Sequence, residues 1–371
     1  MPSVWVHDDQ FPNDCRHQGD TVHQLLSLDS PGTHSRLEAW LTINVPAYRG
    51  PSKIERLSGG QSNPTYRLTA TRQSLVLRCK PAGALLKGAH AIEREYRLLR
   101  ALAGTDVPVP EAYAFCTDTE VTGSPFYVME LVDGRIFWDA TFPSVRTEDR
   151  MRYFDAMNSA MARLHAIDPA RVGLADYGPT ESYLKRQISK WTRQYEADES
   201  AGRIEEMEWL IPWLLEHCPQ SSRISIVHGD FRCDNVIFHR SEPRVLAVID
   251  WELSTLGDPL ADFAYHLMMY HLPPVGIAGL VGCDLHALNI PAEDEYIAAY
   301  CRHTGQAQMP NLHFYLVFNL FRLAAIVHGI KGRVMRGNAA PDYNRTLVEA
   351  LPTISRTAWQ LATAPVSSPG G

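Results

Sequence analysis

The stretch from Ile224 to Asp262 constrains this chain more than any other. It runs Ile224-Ser225-Ile226-Val227-His228-Gly229-Asp230, then Asp234-Asn235-Val236-Ile237-Phe238, a polar turn at 239–244, and Val245 to Asp250. It closes with Leu256-Gly257-Asp258-Pro259 and Asp262. Two short apolar, β-branched runs around a polar turn predict an antiparallel hairpin. In such a pair, the residue before the first strand and the residue after the second lie at the same end. At about 3.3 Å per residue the two runs are similar in length, so Asp230, Asn235 and Asp250 are expected to converge.

Clustered carboxylates need a reason. Two negative charges about 4 Å apart repel by roughly 1 kcal/mol in water and about 4 near a protein surface. A divalent cation removes that repulsion, and the oxygens of Asp and Asn are donors that hard Mg²⁺ prefers, commonly alongside substrate phosphates. An Asp five residues before an Asn, followed by a hairpin ending in a second Asp, matches the kinase plan of base, metal amide and metal carboxylate. Read structurally instead, Asp230 and Asn235 would be turn residues and Asp250 a strand-end cap.

His228-Gly229-Asp230 with Asn235, followed by Ile249-Asp250-Trp251-Glu252, resembles the aminoglycoside phosphotransferase and choline kinase branch of the protein-kinase-like fold. The resemblance runs from about Ile54 to about Arg336. It implies an α+β, two-lobed architecture: a small antiparallel-sheet N-lobe at 51–132 and a larger, mainly helical C-lobe at 133–363. Residues 1–50 are read as an N-terminal extension and 364–371 as a disordered tail. The implied chemistry is phosphoryl transfer from ATP, with Asp230 as catalytic base and Asn235 and Asp250 holding Mg²⁺.

Composition is compatible with that class. The 371 residues suffice for a two-lobed enzyme, and 21% charged with 45% hydrophobic residues describes an ordinary soluble globular chain. A net charge of −7 argues against general binding to nucleic acid or to an anionic membrane. The seven cysteines are scattered and form no C-x-x-C, the usage of a reducing cytoplasm. Asp8, Asp9 and Asp14 stand where a signal peptide would need an apolar core. Phe314 to Ile330 is the most apolar long stretch, but Asn319, Arg322 and His328 interrupt it, so a buried helix is expected.

Along the N-lobe, Gly59 and Gly60 between two short strands form a turn whose backbone N–H groups can approach a phosphate, with Ser62 or Asn63 as further donors. The strand Leu75 to Lys80 puts Arg78 and Lys80 on one face. The resemblance asks for a phosphate-pairing lysine here; Arg78 matches that position, with Lys80 as runner-up. Apolar residues at helical spacing through 92–102 predict a helix with Glu95 on its inward face, where a carboxylate needs a cation. Glu93 is the alternative. Phe126 to Val132 reads as a strand stopped by a glycine turn; the resemblance implies that it is the edge strand entering the hinge, where the backbone of Glu130, Leu131 and Val132 would meet adenine.

The C-lobe is helical by pattern, with helices expected around 153–165, 183–195, 204–217 and 311–333. His165 is expected to cap or pack, and Trp209 and Trp213 to pack. Asp258 can cap the helix that starts at Pro259. The resemblance implies an Asp here that braces the catalytic loop through backbone N–H groups, a supporting role given to Asp258 along with His228. Asn319, Arg322 and Arg333, with Lys331 and Arg336 nearby, are candidates for an acceptor pocket suited to an anionic tail.

The motifs around Pro64, Arg78, Glu130, Phe137 and Phe231–Asn235 resemble the kinase-like domain associated with acyl-CoA dehydrogenases more than resistance enzymes. That resemblance implies a small-molecule hydroxyl acceptor, possibly CoA-linked: a hydroxyacyl-CoA or a hydroxy acid. An antibiotic or choline-type kinase, and a catalytically silent nucleotide-binding module, are the alternatives. No P-loop, H-E-x-x-H or G-x-S-x-G is present.

Overall fold

The computed structural model describes residues 28, 30–46, 48–57, 63–71, 73–81, 92–220, 223–274, 278–337 and 341–364, the side chains of 341–344 excepted. Gly59, Gly60 and Ser62 lie outside the described residues. Among the described residues the first elements are helix α1 (Pro31–Asn44), strands β1 (Lys53–Arg56), β2 (Thr65–Thr69) and β3 (Ser74–Cys79), and helix α2 (Ile92–Leu102). Strand β4 (Ala112–Cys116), a helical turn α3 (Thr119–Thr122) and β5 (Phe126–Glu130) follow. Helices α4 (Arg150–Ala166), α5 (Tyr183–Ala197) and α6 (Glu205–Glu216) precede β6 (Ser225–Val227), β7 (Val236–Phe238), β8 (Val245–Val248) and β9 (Thr255–Gly257). Helices α7 (Pro259–Leu267), α8 (Glu293–Thr304), α9 (Leu312–Met335), α10 (Pro341–Glu349) and α11 (Leu351–Thr363) complete the fold.

These elements form two compact units, each assembled from separate stretches of sequence. One comprises residues up to 137 with 170–174 and 234–254; the other comprises 138–169, 175–233 and 255 onward. The hairpin β7–β8 thus belongs with the N-terminal elements, unlike the continuous spans 51–132 and 133–363 read from the sequence.

The first unit is built on an antiparallel sheet in the order β1-β2-β3-β5-β4. Strand β5 therefore lies inside the sheet and is not the edge strand expected; β4, whose alternation is broken at Ala112 and Ala114, takes the edge. Leu75, Leu77 and Cys79 face one side of β3 and pack with Leu68, Phe126 and Val128. Leu37 and Leu41 of α1 and Val45 just after it join this cluster, so residues read as a peripheral extension help to build the core. The Ser30 hydroxyl accepts from Thr33 N and Pro31 opens the helix, a start signal in the sequence. Burying each leucine contributes about 1.5–3 kcal/mol. The alternate face of β3 presents Arg78.

In the second unit α9 is the central helix. It is long and apolar enough to cross a membrane, yet 89% of its most apolar window is buried inside the fold. Helices α5, α7 and α11 pack around it. Trp213 stacks on His217 and Phe314, and Trp209 meets Trp359 edge-on, which gives the tryptophans the packing role expected.

Candidate active site

In the first unit the hairpin brings two predicted metal residues to one end. Val236 pairs with Val248, and Ile249 N donates to the Asn235 carbonyl at 3.0 Å, so Asn235 and Asp250 flank the same rung. The approach of residues 134–135 to Phe238 requires Gly134, because a Cβ there would stand 2.3 Å from the Phe238 carbonyl oxygen. Asp250 ends the hairpin with φ 65° and ψ 59°, a left-handed conformation that costs a non-glycine residue about 1–3 kcal/mol. Such outliers cluster at functional sites.

Arg78 sits at the centre of this site. Its Nε lies 2.9 Å from Glu95 Oε2, and its Nη2 lies 3.1 Å from Asp250 Oδ1 and 3.8 Å from Glu252 Oε2. Glu95 also accepts from Asn63 Nδ2 and from the Tyr127 hydroxyl, each at 3.0 Å. Burial alone would lower the Arg78 pKa, but the charges of Glu95 and Asp250 reverse this and hold it above its ordinary value. Burial pushes Glu95 up, against the pull of Arg78. Burial and the Glu95 charge keep the Tyr127 phenol protonated. One guanidinium thus faces three carboxylates, and Asp250 and Glu252 are the accessible two. An oxygen donor set with excess negative charge is what a hard divalent cation fits.

The choice between Arg78 and Lys80 is decided by these contacts. Lys80 is paired with Glu93 at the surface, 3.1 Å away, whereas Arg78 takes the buried Glu95. A planar fork can hold Glu95 and Asp250 together; an ammonium is a point charge. At the end of β5, Glu130 N donates to the Glu111 carbonyl and its carboxylate accepts from Glu111 N. Leu131 and Val132 follow outside the strand.

In the second unit the loop carrying Asp230 is held at several points. Asp262 accepts from His228 N at 2.7 Å and from Gly229 N at 2.8 Å, with His165 Nε2 at 3.2 Å. His228 turns its Nδ1 back to accept from Asp230 N at 3.2 Å. Gly229 has φ +83°, a conformation open to glycine. Burial would raise the pKa of Asp262, but the His165 hydrogen bond and the nearby imidazoles bring it below the ordinary carboxylate value. The Asp230 carboxylate accepts from the Tyr265 hydroxyl at 2.5 Å, with Arg232 Nε 3.7 Å away.

Three expectations are corrected here. Asp258 caps α7 through Leu260 N and accepts from Tyr315, but the bracing role belongs to Asp262, one helical turn later. Asn319 donates to the Ala261 and Tyr315 carbonyls, tying α9 to α7, and Arg322 donates to the Gly229 carbonyl at 2.6 Å. Both are inward-facing as expected, yet both hold backbone. In the basic cluster Lys331 donates to Ala201 O and Arg336 pairs with Asp198, so both are taken up by the 198–201 segment, while Arg333 is exposed at the helix end. Sequence reasoning gave no role to Tyr265 or Glu252 and expected His165 to cap or pack, whereas His165 reaches Asp262. Tyr265 could have been found from its spacing, three residues beyond Asp262 on the same helical face.

Residues 53–315 match the model of the phosphotransferase enzyme family. Acyl-CoA dehydrogenase family member 10 of Mus musculus is 42% identical over 85% of this chain and 30% of its own length. Acyl-CoA dehydrogenase family member 11 of Gallus gallus is 39% identical over 88% of this chain and 43% of its own. The chain thus spans less than half the length of either relative. Among solved structures, one from Ralstonia eutropha described as a candidate aminoglycoside phosphotransferase superposes with a TM-score of 0.82. It is 43% identical and covers 88% of this chain and 97% of that one. Choline kinase from Cryptosporidium parvum, 13% identical with a TM-score of 0.61 over 88% of this chain and 96% of that one, shares the fold. So does an aminoglycoside phosphotransferase in ternary complex with ADP and hygromycin B, 14% identical with a TM-score of 0.57 over 86% and 98%.

The fold is the two-lobed, protein-kinase-like α+β fold of the small-molecule kinases. Within that class, this chain belongs to the phosphotransferase enzyme family.

Proposed function

We propose that this protein transfers the γ-phosphoryl group of ATP to a hydroxyl of a small molecule, most suitably a hydroxyacyl-CoA or a hydroxy acid. The observation that carries this reading is the Arg78–Glu95 pair extended to Asp250, beside Asn235 on the same hairpin. Asn235 and Asp250 would hold Mg²⁺, with Glu252 within reach of the same guanidinium. When bound, the ion neutralises charge on the transferring phosphate. Arg78 orients phosphates, the backbone of Leu131 and Val132 meets adenine, and Asp230 orients the acceptor hydroxyl and takes its proton. The protein's contribution is positioning and charge stabilisation.

Support for the acceptor class comes from a cleft in the second unit. Its lining includes Arg232 and Tyr265 together with the apolar Met268, Met269, Leu272 and Leu323. None of the described lining residues is a carboxylate, which suits an aliphatic, anionic acceptor better than a polycationic aminoglycoside. A reducing, cytoplasmic setting belongs to this reading, and the six described cysteines are thiols.

The test is Mg²⁺-dependent ADP release across hydroxyacyl-CoAs, free hydroxy acids, choline and aminoglycosides. Turnover confined to the acyl-CoAs or hydroxy acids supports the assignment. Turnover on an aminoglycoside alone would replace the acceptor, and nucleotide binding without turnover on any of them would favour a silent module.

A further inference from the structure

Among the contacts that hold the loop at 228–230, three restrain different things. Asp262 holds the N–H groups of His228 and Gly229. Arg322 holds the Gly229 carbonyl from the neighbouring helix α9. Neither fixes the side-chain torsions of Asp230. The Tyr265 hydroxyl reaches the carboxylate itself, donating to Asp230 Oδ1 at 2.5 Å, within the range of a charge-assisted O–H···O⁻ bond, with Arg232 Nε farther off at 3.7 Å.

Tyr265 is itself fixed. It is buried on α7, and the Arg322 guanidinium lies 4.9 Å above its ring, with Trp191 at 5.5 Å from the same guanidinium. One cation therefore ties the Gly229 backbone to the ring whose hydroxyl aims the Asp230 carboxylate. Burial and the Asp230 charge keep that phenol protonated, so it remains a donor. Tyr265 also lines the cleft with Arg232 and Cys233, so the aiming acts where an acceptor hydroxyl would enter.

We propose that Tyr265 and Arg322 form a positioning pair for Asp230, Tyr265 setting the direction of the carboxylate and Arg322 locking Tyr265 to the loop. The catalytic part of this inference rests on Asp230 being the base of the proposed transfer. Tyr265→Phe removes the hydroxyl and keeps the stacked ring. With Mg-ATP and 3-hydroxybutyryl-CoA, kcat is expected to fall between about tenfold and a hundredfold, the loss of one hydrogen bond to a charged group. KM for Mg-ATP and the melting temperature stay near wild type. Arg322→Met is expected to lower kcat as well and to speed amide exchange in the peptide spanning 228–233, with the rest of the map unchanged. Arg322→Lys does not restore it, because an ammonium lacks the planar fork.

An unchanged kcat in Tyr265→Phe overturns the proposal, as does a fall matched by loss of folded protein. If wild type releases no ADP with any acceptor in the panel, the proposed function fails. Amide exchange still decides the pair: unchanged protection of 228–233 in Arg322→Met would overturn it.

Discussion

Asp262→Asn is the substitution whose consequences follow most directly from the geometry. The carboxylate is buried and accepts from two backbone N–H groups at 2.7 and 2.8 Å, with an imidazole at 3.2 Å. An amide keeps one accepting oxygen and sets an NH₂ against a backbone N–H. Hydrogen bonds to a charged group contribute about 1.5–3 kcal/mol each, and a buried donor left unpaired costs about 1–3. The expected destabilisation is about 3–5 kcal/mol, a large share of a typical total of about 5–15. Because the two N–H groups belong to the residues just before Asp230, the carboxylate also loses its placement. A shift on the order of 1 Å in a reacting group costs about a hundredfold in rate.

Urea unfolding and ADP-release kinetics of the folded variant measure the two effects separately. The Asp262 carboxyl sits below its ordinary pKa in the folded state, so its contribution is present above about pH 4 and is lost as pH falls through the folded value. The gap between wild type and variant should therefore narrow in acid. Wild-type stability and wild-type kcat in Asp262→Asn would refute the assignment of the brace.

Asp230→Asn is expected to lower kcat by about 10²–10⁴-fold while circular dichroism and melting temperature stay unchanged; full turnover would remove it as the base. Arg78→Met leaves the buried Glu95 charge without its cation and should destabilise by about 3–5 kcal/mol in urea, whereas adding Glu95→Leu should recover part of the loss. No recovery would mean that the pair is not coupled. Burial holds His266 at a pKa of about 4 against its ordinary 6.5. The unfolded chain then binds the proton first as pH falls, so stability should drop between pH 6.5 and 4 by up to about 1.4 kcal/mol per unit. His266→Gln should flatten that slope, and an identical slope in the variant would contradict this.

The parts of the site legible in the sequence were those set by local periodicity. The hairpin, with Asn235 and Asp250 at one end, follows from two apolar runs and a polar turn, and helical spacing put Glu95 on the inward face of its helix, whereas the choice of Arg78 over Lys80 as its partner needed the tertiary contacts. Assignments that depend on which of two similar groups a tertiary contact selects were not legible. Asp258 and Asp262 both start α7, and only packing shows that the second meets the loop. Asn319 and Arg322 look the same whether they face a ligand or a carbonyl, and both face carbonyls. The α1 core contribution was hidden because Leu37, Leu41 and Val45 gain meaning only once the sheet supplies Leu68 and Phe126. Strand β4 is short and irregular, with little pattern to read.

The most direct test of the central claim is transfer of a γ-phosphate label from ATP to the best acceptor of the panel, with Mg²⁺ or with excess chelator, in wild type and Asp250→Asn. The account predicts label on the acceptor hydroxyl in wild type with Mg²⁺ alone, and at least a hundredfold less in the variant or with chelator. Equal transfer by Asp250→Asn, or transfer indifferent to Mg²⁺, would contradict it.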